Sequence, residues 1–462
     1  MTDVSTDLQP NIAATEFPDR RLPLTPFERF LWSADDPQTP MVFRVLMKFH
    51  GIVDRELLEQ CYNTSVARHP LLSARLRTQR NQPTWVPADN PPALIWNTAS
   101  TSAGHPEFGD VVEPIDLTQE PGLRVRVTEG DGYLLVWLDF HHASCDGMGA
   151  RQLIADWFHL YDRMSCDETP TLTALEPERL IVRGELRKRP GAEPLGFRDA
   201  VRDFWVTVTG RTARLAVTKS APDSDGSGTW ITERPFSVHE TTQIRTQLKQ
   251  RGVSINDVGI AVCMQTFARS FSSVNARHFV TVLNPVDLRL PSDRYLPAAN
   301  RTGFTFLRRR QRECRERDFD TLLTSIREQT NYIKDHHVGG EFIHGLNAAS
   351  RLPGALKLLQ KSGLFTPSMQ FTCLGDTTRG RRYGFRSDGD TIMAGQLQLD
   401  RITGFAPVAP GVPLSITACE TNSRLLLSVR SSQRYVSCQE SIDFSDALHQ
   451  QIRQWAGLPD VS

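Results

Sequence analysis

Two adjacent histidines, His141 and His142, followed after Ala143-Ser144-Cys145 by Asp146 and Gly147, are the residues of this chain whose types and spacing best suit chemistry. Three chemistries come into question. A metal site needs several converging ligands, but neighbouring side chains on a strand point to opposite faces, so only one of the two rings could face a given cavity. A nucleophile needs a Ser or Cys held against the imidazole, and Ser144 and Cys145 lie too close along the chain to be placed there. General-base catalysis needs one ring only, with an ordinary pKa near 6.5 that accepts a proton at neutral pH. In that reading His142 is the base, His141 supports it, Asp146 turns back to hold the local backbone, and Gly147 gives clearance for a substrate passing close to the chain. The plainer alternative is a hydrogen-bonded strand end followed by an aspartate helix cap. For a short pattern taken alone that is the commoner outcome.

The elements that must position these residues are legible on both sides. Tyr133-Leu134-Leu135-Val136-Trp137-Leu138 is a nearly continuous apolar run and predicts a buried strand ending at the histidines. Leu153, Ile154, Trp157, Phe158 and Tyr161 recur at helical spacing and predict a helix after Gly147. Leu123-Arg124-Val125-Arg126-Val127 alternates and reaches the Tyr133 strand through Glu129-Gly130-Asp131-Gly132, which predicts a hairpin. The motif therefore sits at a strand-to-helix junction, where a rigid scaffold can aim side chains into a cleft.

Upstream, Thr25-Pro26-Phe27-Glu28 reads as a capped helix start, and residues 41–50 alternate as a half-buried strand with Phe43, Val45, Met47 and Phe49 inward. Asp54 caps a helix carrying Leu57, Leu58, Cys61, Tyr62 and Val66, and Trp85-Val86 begins another strand. Residues 90–119 are rich in Pro, Thr, Ser and Gly and read as mostly loop, and residues 221–228 as a surface loop. Further on come helices over 240–250, 256–270 and 321–335, and strands over 279–283, 368–374 and 424–430. Arg308 to Arg317 is read as a solvated charged face, because glutamates interrupt it, and His336-His337 as a loop.

At 462 residues the chain exceeds one ordinary hydrophobic core, so two domains are expected. Lys plus Arg and Asp plus Glu both number 53, a balance that points to no nucleic-acid partner. Eight scattered cysteines lack the paired spacing of a zinc site and read as reduced thiols, so no metal and a cytoplasmic location are expected. No apolar run approaches the ~20 residues of a membrane span. No glycine-rich phosphate loop precedes a helix.

His141-His142-Ala143-Ser144-Cys145-Asp146-Gly147 resembles the HHxxxDG motif of the superfamily of condensation domains, chloramphenicol-acetyltransferase-like CoA-dependent acyltransferases, and wax-ester or diacylglycerol acyltransferases. Arg68-His69-Pro70-Leu71-Leu72 is similar to an upstream element of that family, and Asn256-Asp257-Val258 and Pro285-Val286-Asp287-Leu288-Arg289 to second-half elements. The DFGWG element of the plant-type branch is missing. The resemblance implies an α/β (α+β) fold of two chloramphenicol-acetyltransferase-like domains, each a largely antiparallel mixed sheet with flanking helices, forming a V around a tunnel. The division expected is a tail over 1–20, a motif-bearing domain over 21–170, a linker over 171–196 and a second domain over 197–462. It further implies an acyltransferase that moves an acyl group from a thioester, on CoA or a carrier protein's phosphopantetheine, to a small-molecule or lipid alcohol or amine. His142 would be the base and no cofactor would be permanently bound. Asp146 would be structural and paired with an arginine, for which Arg289, Arg68 and Arg75 are candidates and Arg289 is preferred. A monomer is expected. The alternative is a non-catalytic relative that binds a carrier protein or acyl thioester.

Overall fold

The computed structural model describes residues 16–18, 21–80, 82–98, 112–186, 210–217, 228–352, 354–363, 366–377, 384–388 and 391–459. Most of the expected tail, residues 187–196 of the expected linker, and residues 221–227 of the expected surface loop lie outside these.

Two large sheets organise the chain. The first has seven strands in the order Arg386–Asp388, Thr391–Ala394, Leu397–Phe405, Val42–His50, Tyr133–His141, Leu123–Gly130, Leu94–Thr98. The second has six, in the order Thr302–Arg310, Phe279–Asp287, Met369–Asp376, Leu414–Thr421, Arg424–Ser432, Thr229–Pro235. A small sheet joins Leu22–Pro23, Gln82–Pro87 and Ala74–Gln79. Pairing is mostly antiparallel. The exceptions are Leu94–Thr98 beside Leu123–Gly130, and Met369–Asp376, which runs parallel to both of its neighbours. Each large sheet packs helices over an apolar core: Arg55–Val66 and Gly147–Met164 on the first, Ile255–Ser270, Phe319–Asp335 and Cys438–Trp455 on the second. The fold is thus the mixed α/β architecture of two lobes that the sequence implied.

Chain order and spatial order part company late. The strands Arg386–Asp388, Thr391–Ala394 and Leu397–Phe405 follow the second lobe's strand Met369–Asp376, yet they cross over and extend the first sheet, with Leu399 opposite Phe49 and Ile402 opposite Met47. A division that assigns all of 197–462 to the second lobe leaves these three strands on the wrong side of the line. Periodicity reports that a strand exists but not which edge it joins.

The crossover also explains why Val42–His50 is buried on both faces and not half-buried as its alternation suggested. Leu46, on the face expected to be wet, packs with Ile231 and Phe405, and Arg44 is buried in an ion pair with Asp139, its Nε 2.5 Å from Oδ1. Two other readings change. The Pro- and Ser-rich stretch 90–119 contains the edge strand Leu94–Thr98, whose short apolar pattern was obscured by its surroundings. The expected linker holds a 3-10 turn, Pro177–Val182, with Leu180 and Arg183 buried.

Arg183 reveals a network that begins at the first capped helix, Pro26–Ser33. Glu28 closes the capping box with Thr25, as its position in the sequence suggests, but it is fully buried. Its carboxylate also accepts two hydrogen bonds from Arg183, each 2.7 Å, and one from Trp85 Nε1. Arg301 in turn donates to the carbonyls of Arg183 and Glu185, linking this corner to the second lobe.

Candidate active site

The hairpin strand Tyr133–His141 delivers the histidines between two partners. Val42 lies opposite His141, and the ladder runs one residue further, where the His142 N–H donates to Met41 O at 2.7 Å. On the other side His141 N–H donates to Gly122 O. The strand then turns sharply, and the helix Gly147–Met164 starts with Asp146 as its N-cap, Oδ1 accepting Gly149 N–H at 2.9 Å.

His141 is fully buried and faces away from the cavity. Its Nδ1 accepts Ala143 N–H at 3.1 Å, which puts the ring proton on Nε2, 3.4 Å from Asp35 Oδ2. Asp35 also accepts Met41 N–H through Oδ1 at 2.7 Å. One carboxylate therefore steadies both the ring beside His142 and the backbone that pairs with it. His142 has the opposite setting. Its ring meets Phe43 edge-on at 5.2 Å and lines a cavity of about 380 Å³ between the lobes, and its buried Nδ1 has no hydrogen-bond partner among the described residues. Burial pushes the imidazole pKa below its usual value, against the opposing pull of a backbone hydrogen bond and then of the Asp146 carboxylate, so the neutral, proton-accepting form predominates at neutral pH.

Asp146 is a dense junction. Besides capping its helix it accepts both Arg289 Nη atoms at 2.8 Å, Arg301 N–H at 2.7 Å and Thr302 Oγ1 at 2.9 Å. Burial alone would raise its pKa. The guanidinium and these donors outweigh burial and hold the carboxyl below its usual range, while Asp146 raises Arg289 against the opposing effect of that residue's own burial. Arg289 follows the strand Phe279–Asp287 and is the one of the three candidate arginines that reaches Asp146. Arg68 pairs with Asp156, and Arg75 with Asp89. Gly147 is exposed, and a Cβ there would meet nothing within 4 Å. At Gly149 a Cβ would stand 3.2 Å from the backbone of Ala299, so the helix start lies directly against the second lobe. Cys145 is buried with its thiol pKa pushed far up by burial, which leaves it inert.

Sequence reasoning gave no role to the segment Ala298-Ala299-Asn300-Arg301-Thr302. Three of its residues bond the motif directly, and the other two brace the surroundings. Ala298 N–H donates to His69 Nδ1, Ala299 O accepts from Arg289, Asn300 Nδ2 donates to His142 O, and Arg301 and Thr302 donate to Asp146. His69 belongs to the Arg68-His69-Pro70 element, whose second contact is Asp156. Asp35 was missed as well. Its only signal was a second acid, Asp36, just before a strand.

The Asp35 contacts carry a test of their own. Asp35→Asn keeps an oxygen for Met41 N–H but removes the negative charge beside His141. Steady-state kinetics should show kcat/KM falling about tenfold, the loss of roughly one charge-assisted contact, with melting nearly unchanged. Unaltered kinetics would remove Asp35 from the site.

The chain belongs to the condensation domain family, whose model matches residues 21–269. Within that family its particular resemblances are to large synthases and to an acyltransferase. It is 26% identical over 117 residues to tyrocidine synthase 3 of Brevibacillus parabrevis, covering 25% of this chain and 2% of that protein. It is 23% identical over 253 residues to the phthiocerol/phthiodiolone dimycocerosyl transferase of Mycobacterium leprae (strain TN), covering 53% of this chain and 57% of that one. The matches thus span only part of both curated relatives. Among solved structures, a mutant of the starter condensation domain of rhizomide synthetase in complex with C8-CoA and Leu-SNAC shares the fold. Its TM-score is 0.65 at 11% identity, with 95% of this chain and 94% of that one covered. Among the described residues no helix is long and apolar enough to cross a membrane, and no three His, Cys, Asp or Glu side chains are grouped to hold a metal ion.

Proposed function

We propose that this protein is an acyltransferase that moves an acyl group from a thioester, on CoA or a carrier protein's phosphopantetheine, to a hydroxyl or amine, with His142 as general base. The observation that carries this is an imidazole that lines a cavity between the lobes, its Nδ1 without a hydrogen-bond partner among the described residues and its backbone held on both sides. A ring so placed is free to take a proton from an acceptor. His141 is placed otherwise, buried outside the cavity lining with Nδ1 accepting Ala143 N–H and Nε2 3.4 Å from Asp35.

The residues divide the work accordingly. The acceptor's O–H or N–H gives its proton to His142 as oxygen or nitrogen attacks the thioester carbonyl, and the proton passes on to the departing thiolate. No acyl-enzyme forms, because the nearby thiol, Cys145, is buried and inert. His141 and Asp35 fix the backbone that aims His142. Asp146 and Arg289 hold the lobes together at the motif, and Gly147 leaves the approach to it open. The test is thiol release from a panel of acyl-CoAs with alcohol and amine acceptors. Release that depends on acceptor supports transfer, whereas thioester binding without release at any acceptor would leave the protein as a binding relative.

A further inference from the structure

The cavity that His142 faces has two kinds of wall. One carries His142, Asp35 and Asp36, and no lysine or arginine lines the cavity among the described residues. Another is made of aromatic rings from three elements: Phe30 on the helix Pro26–Ser33, Phe304 and Phe306 on the strand Thr302–Arg310, and Phe342 on the helix Gly339–Ser350. Phe342 stands at the centre of that cluster, 5.6 Å from Phe30, 5.5 Å from Phe304 and 5.8 Å from Phe306 by ring centroids.

Its position is set by close packing. A Cβ on Gly303 would fall 2.2 Å from Gly339 O, and a Cβ on Gly339 would fall 2.1 Å from Val286 Cγ2. Glycine at both places lets the start of the helix lie directly on the strands, and this brings the Phe342 ring in among the other three. Three rings on one side could stack with a partner of any shape. A fourth inserted between them makes a wall with a defined depth.

We infer that this wall receives an uncharged apolar chain and that Phe342 determines how much of that chain fits. The inference deepens the acyl-transfer reading and rests on it only for the identity of the carrier. The chain's source is either the acyl group of the thioester or a lipophilic acceptor, which the measurement separates. Apolar rings recognise methylenes, each of which adds about fourfold to affinity when fully buried. At about 380 Å³ the cavity has room for roughly a dozen methylene-sized groups, each about the ~30 Å³ that a water occupies in the liquid. A carboxylate on the chain would lose its hydration next to Asp35 with no cation to replace it.

Calorimetric binding is measured on the full chain and on Phe342→Ala and Phe342→Trp, each checked by melting. The probes are saturated acyl-CoAs from acetyl to palmitoyl, succinyl-CoA, and the matching straight-chain alkanols. In one series affinity should climb about fourfold per methylene to an optimum, which moves to longer chains in Phe342→Ala and to shorter ones in Phe342→Trp. Succinyl-CoA should bind more weakly than butanoyl-CoA. The series that shows the optimum identifies the source. An optimum unmoved in both variants overturns the role of Phe342. No length dependence in either series, or succinyl-CoA binding as well as butanoyl-CoA, overturns the apolar assignment. Binding, and with it the optimum, needs no turnover. A protein that shows it but never releases thiol contradicts the acyl-transfer reading alone.

Discussion

His142→Ala should lower turnover about 10²- to 10⁴-fold, the range a positioned general base supplies, while the fold melts within about 1 kcal/mol of the parent. The two halves of this expectation come from the same geometry. The bonds that hold residue 142 in place run through its backbone, to Met41 O and from Asn300 Nδ2, and alanine keeps both. What alanine loses is the ring, which sets its edge on Phe43 and lines the cavity. A large loss of melting temperature alongside the loss of activity would mean that the imidazole is structural.

The pH profile supplies an independent check with a definite sign. Burial lowers the His142 pKa below 6.5, so the neutral, proton-accepting form already predominates at pH 7. The rate constant kcat/KM should therefore rise as pH increases through an apparent pKa below 6.5 and stay flat above it. A rise centred above 7 would mean that another group limits the reaction. The Asp35→Asn variant should shift the height of this curve more than its midpoint, because Asp35 acts on backbone position through Met41 and on His141, not on the ring of His142.

How far these statements could be reached from the residues alone differs by element. The strand Tyr133–His141, its hairpin partner and the helix Gly147–Met164 were legible because each follows a single period over many residues. The capping box at Thr25 and Glu28 was legible for the same local reason, but the burial of Glu28 against Arg183 was not, since 155 residues separate them. The same holds for the site. His142 was reached from strand alternation, which gives one ring to the cavity, and Arg289 from a resemblance in the second half. Asn300, Arg301 and Thr302 carry no periodic or motif signal. Their importance lies in which lobe they touch, and that is fixed by the crossing of the chain between two sheets. The Leu397–Phe405 strand shows the same limit, because its pattern is a clear strand and its neighbour, Val42–His50, lies some 350 residues earlier.

Removing Asp146 should cost far more stability than removing His142, by about 3–5 kcal/mol in Asp146→Ala, because it takes from Arg289 its buried, two-pronged partner and leaves it only the more exposed Asp287, 3.2 Å away. The same change strips acceptors from Gly149, Arg301 and Thr302, so the helix start and the second lobe's docking segment are released together. Chemical denaturation of Asp146→Ala, Arg289→Ala and the double variant should give a double-variant loss smaller than the sum of the single ones, since the second removal takes away a group whose main partner the first had already removed. Additive losses would show that the two groups do not depend on each other. Acid provides the complementary measurement. The folded-state pKa of Asp146 lies below the ordinary carboxylate value of 3.8, so the stabilisation is complete above that value and is lost as pH falls through the lower, folded-state one. Asp146→Ala should accordingly flatten the parent's loss of stability in this acid range. Activity should fall with stability here, because Asn300, which holds the His142 carbonyl, sits one residue from the Arg301 N–H that Asp146 binds. A variant at this position that melts like the parent would separate the motif's aspartate from the joining of the lobes.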